Sequence, residues 1–494
     1  MTLIPSGQPD PVDHRDPEQR LKALFDRGTL RLLAARDDSG VLYGRGQVDG
    51  TPAVAFATDA TRMGGALGLD GCRRIVTAID TAVRDRVPVA GLWHSGGARL
   101  AEGVVALDGA GQVFAAMVRA SGRVPQISAV LGPALGSAAY GPALTDIVIA
   151  SRAGRVFVTG DAPSGAARSD PSGAASSAPS GDGPSSASVA ARSDPSGASS
   201  GPSGAAGSEV VHLTAANDAE ALARTREMVL LLGRQGRLSP DDVPLGSRAG
   251  GSPDALLPSG PNLPYDVKPL VQALLDATGT ELHADWAPNI VTVLGRFAGR
   301  TVGVVANNPL VLDGSLDAGA AEKAARFVRM CDALAVPLIV LADTPGYLPG
   351  PGHDGDGVVR RGAKLLHAFA DAVVPRVTLV TRRAYGGSYI AMNSRALGAT
   401  AVFAWPTAEV AALTPEAAVD VLHRKRLAAT PPGRRAHLRG QLATHESAQT
   451  GGIDRAVEIG VVDAVIPPAH TRRRIALALA AAPAGRGPHG SIPL

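Results

Sequence analysis

Apolar residues along this chain fall into short, β-branched runs, each opened by a Val-Pro pair and closed by glycine. Val87-Pro88 precedes "VAGLWHS" and the turn "GGAR"; after an apolar helical stretch, Val124-Pro125 precedes "QISAVLGPALGSAAY". The same order returns later: Val336-Pro337 precedes "LIVLADTPGYLPG", a helical stretch spans Ala363 to Phe369, and Val374-Pro375 precedes "RVTLVTRRAYGGSY". The prolines are 37 residues apart in the first half and 38 in the second, and each later proline stands 11 residues before a strand-end glycine, Gly136 or Gly386. Matched order, loop type and spacing point to an internal duplication. Alternating strand and helix in each half predicts an α/β architecture with parallel strands. A further helical period covers Ala219 to Leu232.

Two breaks interrupt the pattern. Residues 162–208 are almost wholly Ala, Ser, Gly and Pro, and "ARSDPSGA" occurs twice, from Ala167 and from Ala191. Such a stretch buries too little apolar surface to offset its ordering entropy, so disorder is expected there. A shorter Gly/Pro/Ser-rich break runs from Gly246 to Pro264. The predicted division is an N-terminal domain over 1–245 and a C-terminal domain over 246–494.

Composition supports two cores: of 494 residues, 45% are hydrophobic and 19% charged, more chain than one core usually holds. The balance of 48 basic against 45 acidic residues, without a block of like charge, argues against a nucleic-acid partner. Two cysteines, Cys72 and Cys331, offer neither a disulfide framework nor a zinc spacing, and read as buried thiols. The uncharged run from Val124 to Thr145 is long enough to cross a membrane, but Pro125, Pro133 and Pro142 break it, so buried strand and loop are expected instead. The first 20 residues are polar and lack an apolar signal core, which gives the expectation of a cytoplasmic protein.

The Gly-rich corners are the candidate chemistry. At Gly136-Ser137-Ala138 and again at Gly386-Gly387-Ser388, a β-branched strand gives way to a helix. The first amides of a helix lack an intrahelical acceptor and can donate to a developing oxyanion. Each corner is preceded by another Gly-rich loop, Ser95-Gly96-Gly97-Ala98 or Asp343-Thr344-Pro345-Gly346. One such turn alone would more simply permit tight helix–sheet packing. Two equivalent turns imply two oxyanion holes and two substrates with enolisable carbonyls. No P-loop, HExxH or Met-Lys-Met motif occurs, so neither ATP use by a P-loop nor a resident biotin is indicated. His94 and Ser95, adjacent on a strand, point to opposite faces and make a poor dyad. Trp93, Trp286 and Trp405 read as core or interface aromatics, and Arg360, Arg361, Arg382 and Arg383 as exposed, solvated side chains.

Longer phrases carry a resemblance: "SGGARLAEGV" from Ser95, "AAYGPALTD" from Ala138, "GRTVGVVANNP" from Gly299, "EKAARFVRMCDA" from Glu322, "AYGGSYIAMNSRALGA" from Ala384 and the terminal "HGSIPL". With these the chain resembles the carboxyltransferase β subunits of actinobacterial acetyl-CoA and propionyl-CoA carboxylases, nearly end to end. The resemblance implies two tandem crotonase-like (ClpP/crotonase) domains and a hexamer built as a trimer of dimers. It implies an acyl-CoA substrate and a biotin carboxylase/biotin carrier (α) partner, with biotin on that separate subunit and no metal in this chain. In the implied mechanism carboxybiotin gives up CO2 inside the site, the biotin enolate takes the α-proton of the thioester, and the thioester enolate attacks CO2. Carried over by motif, the acyl-CoA hole falls on Gly136 and Ser137, with Gly96, Gly97, Ala98 and Ala138 beside it. The biotin hole falls on Gly387 and Ser388, with Gly346 and Gly386 beside it. Ile390 stands where propionyl-type members commonly carry Asp, which points to acetyl-CoA.

After Gly160 the family pattern gives way to the low-complexity stretch, and each hole carries Ser where the family has Gly or Ala. Two other readings therefore stay open: a divergent acyl-CoA decarboxylase, and a catalytically weak subunit that supports assembly.

Overall fold

Each Val-Pro pair does open a strand. In the computed structural model, β4 (Val89–Ser95), β5 (Gln126–Leu135), β12 (Leu338–Thr344) and β13 (Arg376–Tyr385) all begin at the residue after the proline. Proline fixes its own φ, offers no N–H to the ladder and holds its predecessor extended, so it suits the residue leading into a strand. The structure describes residues 13–157, 209–236, 238, 252–260, 263–348, 357–450 and 452–491; the low-complexity stretch at 162–208 and the 245/246 boundary lie outside them.

The remaining strands of the first half are β1 (Arg31–Leu32), β2 (Val41–Val48), β3 (Thr51–Thr58), β6 (Ile147–Ser151), β7 (Arg155–Phe157) and β8 (Leu213–Ala215). Those of the second are β9 (Thr280–Leu282), β10 (Ile290–Phe297), β11 (Arg300–Asn307), β14 (Ala401–Ala404), β15 (Glu409–Ala411) and β16 (Ala464–Val465). The first sheet runs β1-β2-β3-β4-β5-β6-β8, with β7 also on β5; the second runs β9-β10-β11-β12-β13-β14-β16, with β15 also on β13. Strand for strand the two orders are the same. Each begins with an antiparallel hairpin, β2–β3 or β10–β11, and continues with parallel neighbours. The duplication read from spacing is thus a duplication of topology, in the tandem crotonase-like α/β architecture.

The helices are α1 (Pro17–Leu24), α2 (Leu69–Asp85), α3 (Val104–Ala120), α4 (Ser137–Ala143), α5 (Asp218–Gly233), α6 (Lys268–Leu274), α7 (Ala318–Ala333), α8 (Val358–Asp371) and α9 (Gly386–Ala391), with further helices after Thr414. Strands β12 and β13 are buried along their whole length, as parallel strands covered on both faces must be, which is why they read as near-continuous apolar runs. Trp93 and Trp405 belong to the cores, each donating its indole N–H at 2.9 Å to a buried hydroxyl, Ser128 or Thr471. Cys72 and Cys331 are buried free thiols. The uncharged run is β5 and the whole of short α4, and among the described residues no helix is long and apolar enough to span a membrane.

The two halves are stitched together. The His283 N–H donates to the His212 carbonyl (2.8 Å) and the Thr301 hydroxyl to the Leu231 carbonyl (2.6 Å). The Ser491 N–H returns to the Ser121 hydroxyl at 2.8 Å. These bonds hold two rigid sheets in one frame, and the corners at their strand ends inherit that rigidity.

Candidate active site

At the first corner β5 ends on Leu135, and Gly136 reverses the chain with φ +57° and ψ −126°, a conformation closed to side chains bearing a Cβ. The Gly136 N–H is already engaged, donating to the Phe157 carbonyl at 2.9 Å; the Ala139 N–H turns back to the Gly136 carbonyl at 3.1 Å. Ser137 and Ala138 are the first two residues of α4, and their N–H groups have no acceptor within that helix. Gly136 therefore shapes the corner without donating to it, which corrects its sequence-derived role as an amide donor.

The loop across from it is pinned by Leu67, which pairs with Ala98. The Leu67 N–H donates to the Gly97 carbonyl (2.8 Å) and the Arg99 N–H to the Leu67 carbonyl (2.9 Å). In parallel pairing this leaves the Ala98 N–H directed away from Leu67, and it has no acceptor among the described residues. Gly96 and Gly97 spend their N–H groups on the Gly64 carbonyl (2.9 Å) and the Ser95 hydroxyl (3.3 Å). A Cβ on Gly97 would stand 3.2 Å from the Leu135 carbonyl oxygen, so the loop lies directly against the strand end. Beneath Ser137 and Ala138 lies a closely packed crevice of only about 10 Å³, walled by Leu67, Trp93, Phe114 and Cys72. Burial pushes the Cys72 thiol up to about 11, so it serves as an apolar wall and not as a nucleophile.

The second corner repeats the first with one shift. Pairs Pro133–Arg155 to Leu135–Phe157 in the first sheet correspond to Arg383–Glu409 to Tyr385–Ala411 in the second, and Gly386 has φ +58° against +57° at Gly136. Gly386 is therefore the counterpart of Gly136, and Gly387 that of Ser137. Gly387 is exposed, while Ser388 is fully buried with its hydroxyl donating to the Tyr385 carbonyl at 2.7 Å. The motif carry-over, which set Gly387-Ser388 against Gly136-Ser137, is one residue late, whereas the proline spacing pairs Gly136 with Gly386 as the register does. On the facing loop the Leu316 N–H donates to the Gly346 carbonyl (3.0 Å) and the Leu348 N–H to the Leu316 carbonyl (2.8 Å). Tyr347 thus stands where Ala98 stands in the first half, its N–H without an acceptor among the described residues. Sequence reasoning named Gly346 and missed Tyr347; the bridge to Leu316 is the signal, and it exists only in the folded chain. Ile390, 44% exposed on α9, is the counterpart of Tyr140, 48% exposed on α4.

Two other readings are settled by geometry. His94 and Ser95 form no dyad: the His94 ring lies against Gly132 and Arg20, while Ser95 Oγ accepts from Gly97. Arg382 and Arg383 are not solvated; each is 5% exposed. Their partners are Asp343, which takes Arg382 Nε at 2.7 Å and Arg383 Nε at 3.1 Å, and Asp313, which receives Arg383 Nη1 and Nη2 at 2.8 and 2.7 Å. Burial opposes the Arg383 charge, yet its bonds to Asp313 and the two carboxylate charges outweigh that and raise its pKa.

The chain is similar to several known proteins. The biotin-dependent acetyl-/propionyl-coenzyme A carboxylase beta6 subunit of Mycobacterium tuberculosis is 51% identical over 498 residues, covering 100% of both chains. The propionyl-CoA carboxylase beta chain of Rhodococcus erythropolis is 50% identical over 488 residues, 98% of this chain and 97% of that one. Among solved structures, transcarboxylase 12S, crystallised with methylmalonyl-coenzyme A and methylmalonic acid bound and described as a hexamer assembly, superposes with TM-score 0.79 at 32% identity. That match covers 94% of this chain and 88% of the other. Residues 21–486 match the carboxyl transferase domain family, so a chain with two matching amide corners on two matching sheets belongs to the carboxyl transferase family.

Proposed function

We propose that this chain is the carboxyltransferase subunit of a biotin-dependent acyl-CoA carboxylase. It moves a carboxyl group from carboxybiotin to the α-carbon of a short acyl-CoA, converting acetyl-CoA to malonyl-CoA in preference to propionyl-CoA to methylmalonyl-CoA. The observation that carries this reading is the duplicated pair of outward amides, Ala98 with Ser137 and Tyr347 with Gly387. A reaction that makes an enolate on one substrate while another receives the displaced charge needs two such holes.

At the first corner the Ala98 and Ser137 amides hold the thioester oxygen, and their bonds strengthen as it gains charge during α-proton loss. Donors fixed in place beforehand stabilise that charge without reorganising, and one of them is worth roughly 3–4 kcal/mol. The acyl end lies against the wall of Trp93 and Phe114, where the free space is only about 10 Å³, and this tightness together with the apolar Ile390 favours the shorter chain.

The second corner fits a ureido oxygen. A Cβ on Gly346 or Gly387 would meet nothing within 4 Å, so the approach is open, and the donors are neutral amides suited to an oxygen that becomes negative. Biotin, presented by its carrier subunit, supplies the carboxyl group and the base; the chain supplies the Tyr347 and Gly387 amides that orient it. Exposed apolar side chains border both corners, among them Leu100, Val104 and Tyr140 near the first, and Leu312, Val359 and Ile390 near the second. They support an assembly in which the first corner of one subunit faces the second corner of another within a hexamer. The reading places the protein in the cytoplasm.

The test is reconstitution. The purified chain, a biotin carboxylase–carrier subunit, ATP, bicarbonate and acetyl- or propionyl-CoA should yield the dicarboxylic thioester. A carrier that becomes carboxylated while no such thioester forms would contradict the reading.

A further inference from the structure

The two corners repeat in backbone but differ in what stands behind them. In the first half the positions are Gly64, His94, Gly132 and Pro133, with the His94 ring seated over Gly132. Their counterparts in the second half are Asp313, Asp343, Arg382 and Arg383, which form one ion network, buried at Asp343, Arg382 and Arg383 and half exposed at Asp313. Burying three charges is costly and seldom adds stability, whereas fixing one geometry among several is the use such networks serve best.

The network closes on the arm that carries Tyr347. Asp343 is the residue before Thr344, where that arm leaves β12. Asp313 lies in the one-turn helix Leu312–Gly314, held with φ +56°, and the chain leaving that turn reaches Leu316, the pairing partner of Tyr347. Arg383 grips both carboxylates from β13, three residues before Gly386. Arg382 adds a second hold on Asp343 and ties it to the Gly260 and Leu263 carbonyls at 3.2 and 2.9 Å.

We propose that Arg383 is a positioning residue for the second corner: by clamping Asp313 and Asp343 to the strand that leads into Gly387, it sets the gap between the Tyr347 and Gly387 amides, and so the fit of the biotin ureido group. The inference rests on the carboxyltransferase reading. It explains why the clamp is missing from the first half, where the thioester is also held through its acyl chain and its coenzyme A moiety. At the second corner a small ureido ring has little besides these two amides to orient it.

The experiment is malonyl-CoA-dependent carboxylation of free biotin by the full chain, with KM measured for each substrate. Arg383→Met should lower kcat/KM for biotin by roughly tenfold or more, a loss of one well-placed interaction, while KM for malonyl-CoA and the oligomeric state stay unchanged. Arg383→Lys, which keeps the charge but loses the fork, should recover part of the loss. Asp313→Asn, nearly isosteric, should reproduce it, and it carries the comparison should Arg383→Met not assemble. Equal biotin kinetics in wild type and Asp313→Asn would overturn the inference. So would equal loss toward both substrates with no rescue by lysine, because that pattern belongs to general destabilisation. A wild-type chain that never carboxylates biotin would overturn the functional reading itself, and the inference with it.

Discussion

The Gly136 N–H donates to the Phe157 carbonyl at 2.9 Å, so the glycine that makes the first corner cannot also serve its ligand. Its task is conformational, with φ +57° and ψ −126°. Gly136→Ala would force a Cβ into that conformation and should cost about 1–3 kcal/mol of stability, with loss of transfer activity. Urea unfolding and an activity assay on the same preparation check this; a variant as stable as wild type would contradict the assignment.

Acyl-chain choice follows from the narrow crevice beside Trp93 and from Ile390. Acetyl-CoA should give the highest kcat/KM, with propionyl- and butyryl-CoA falling away by roughly tenfold or more per added methylene where the crevice wall resists. Ile390→Asp should shift the ratio toward propionyl-CoA. Steady-state kinetics with the three substrates decide it, and a marked butyryl preference would refute the account.

The His212 and His283 rings stack with centroids 4.1 Å apart, and His212 Nδ1 accepts the Val148 N–H at 3.1 Å. Burial pushes His283 down to about 3, and holds His212 well below its ordinary value through burial and the His283 ring beside it. The unfolded chain binds protons below pH 6.5 that the folded chain refuses, so stability falls as pH drops from there toward about 3. The slope is at most about 1.4 kcal/mol per unit per histidine. Burial raises Asp146 to about 6, which adds stability as pH falls from about 6 to 3.8; it offsets one histidine, not two. Denaturant midpoints measured at about pH 7 and about pH 5 should therefore drop for wild type and drop less for His283→Gln. An unchanged wild-type midpoint would contradict this.

Much of the fold was legible because it rests on local chemistry. A proline that cannot join a ladder marks where each of β4, β5, β12 and β13 begins, and helical periodicity marks α5. What was not legible depends on contacts made across the chain. Gly386 and Gly387 are alike in type: the proline spacing points to Gly386 while motif matching points to Gly387, and the β13–β15 register decides that Gly386 turns the chain. Tyr347 enters the site through Leu316. Arg382 and Arg383 read as surface cations because Asp343 and Asp313 lie 40 and 70 residues away from Arg383 in sequence; folding brings those carboxylates to them.

The decarboxylase alternative differs in its need for biotin. Transfer to acetyl-CoA in the reconstituted system should vanish when avidin sequesters the carrier's biotin. Malonyl-CoA should then stay intact. Continued loss of CO2 from malonyl-CoA in the presence of avidin would favour the decarboxylase.

The central claim is that backbone amides, not side chains, carry the chemistry, and Ser137 tests it most directly. As the first residue of α4 it can be replaced by proline, which suits that helical position and deletes the N–H, while alanine deletes only the hydroxyl. In the reconstituted transfer assay Ser137→Ala should match wild type within a factor of about two, and Ser137→Pro, still assembled, should fall by roughly 10²–10³ in kcat. Comparable activity in both variants, or a larger loss with alanine than with proline, would contradict the account.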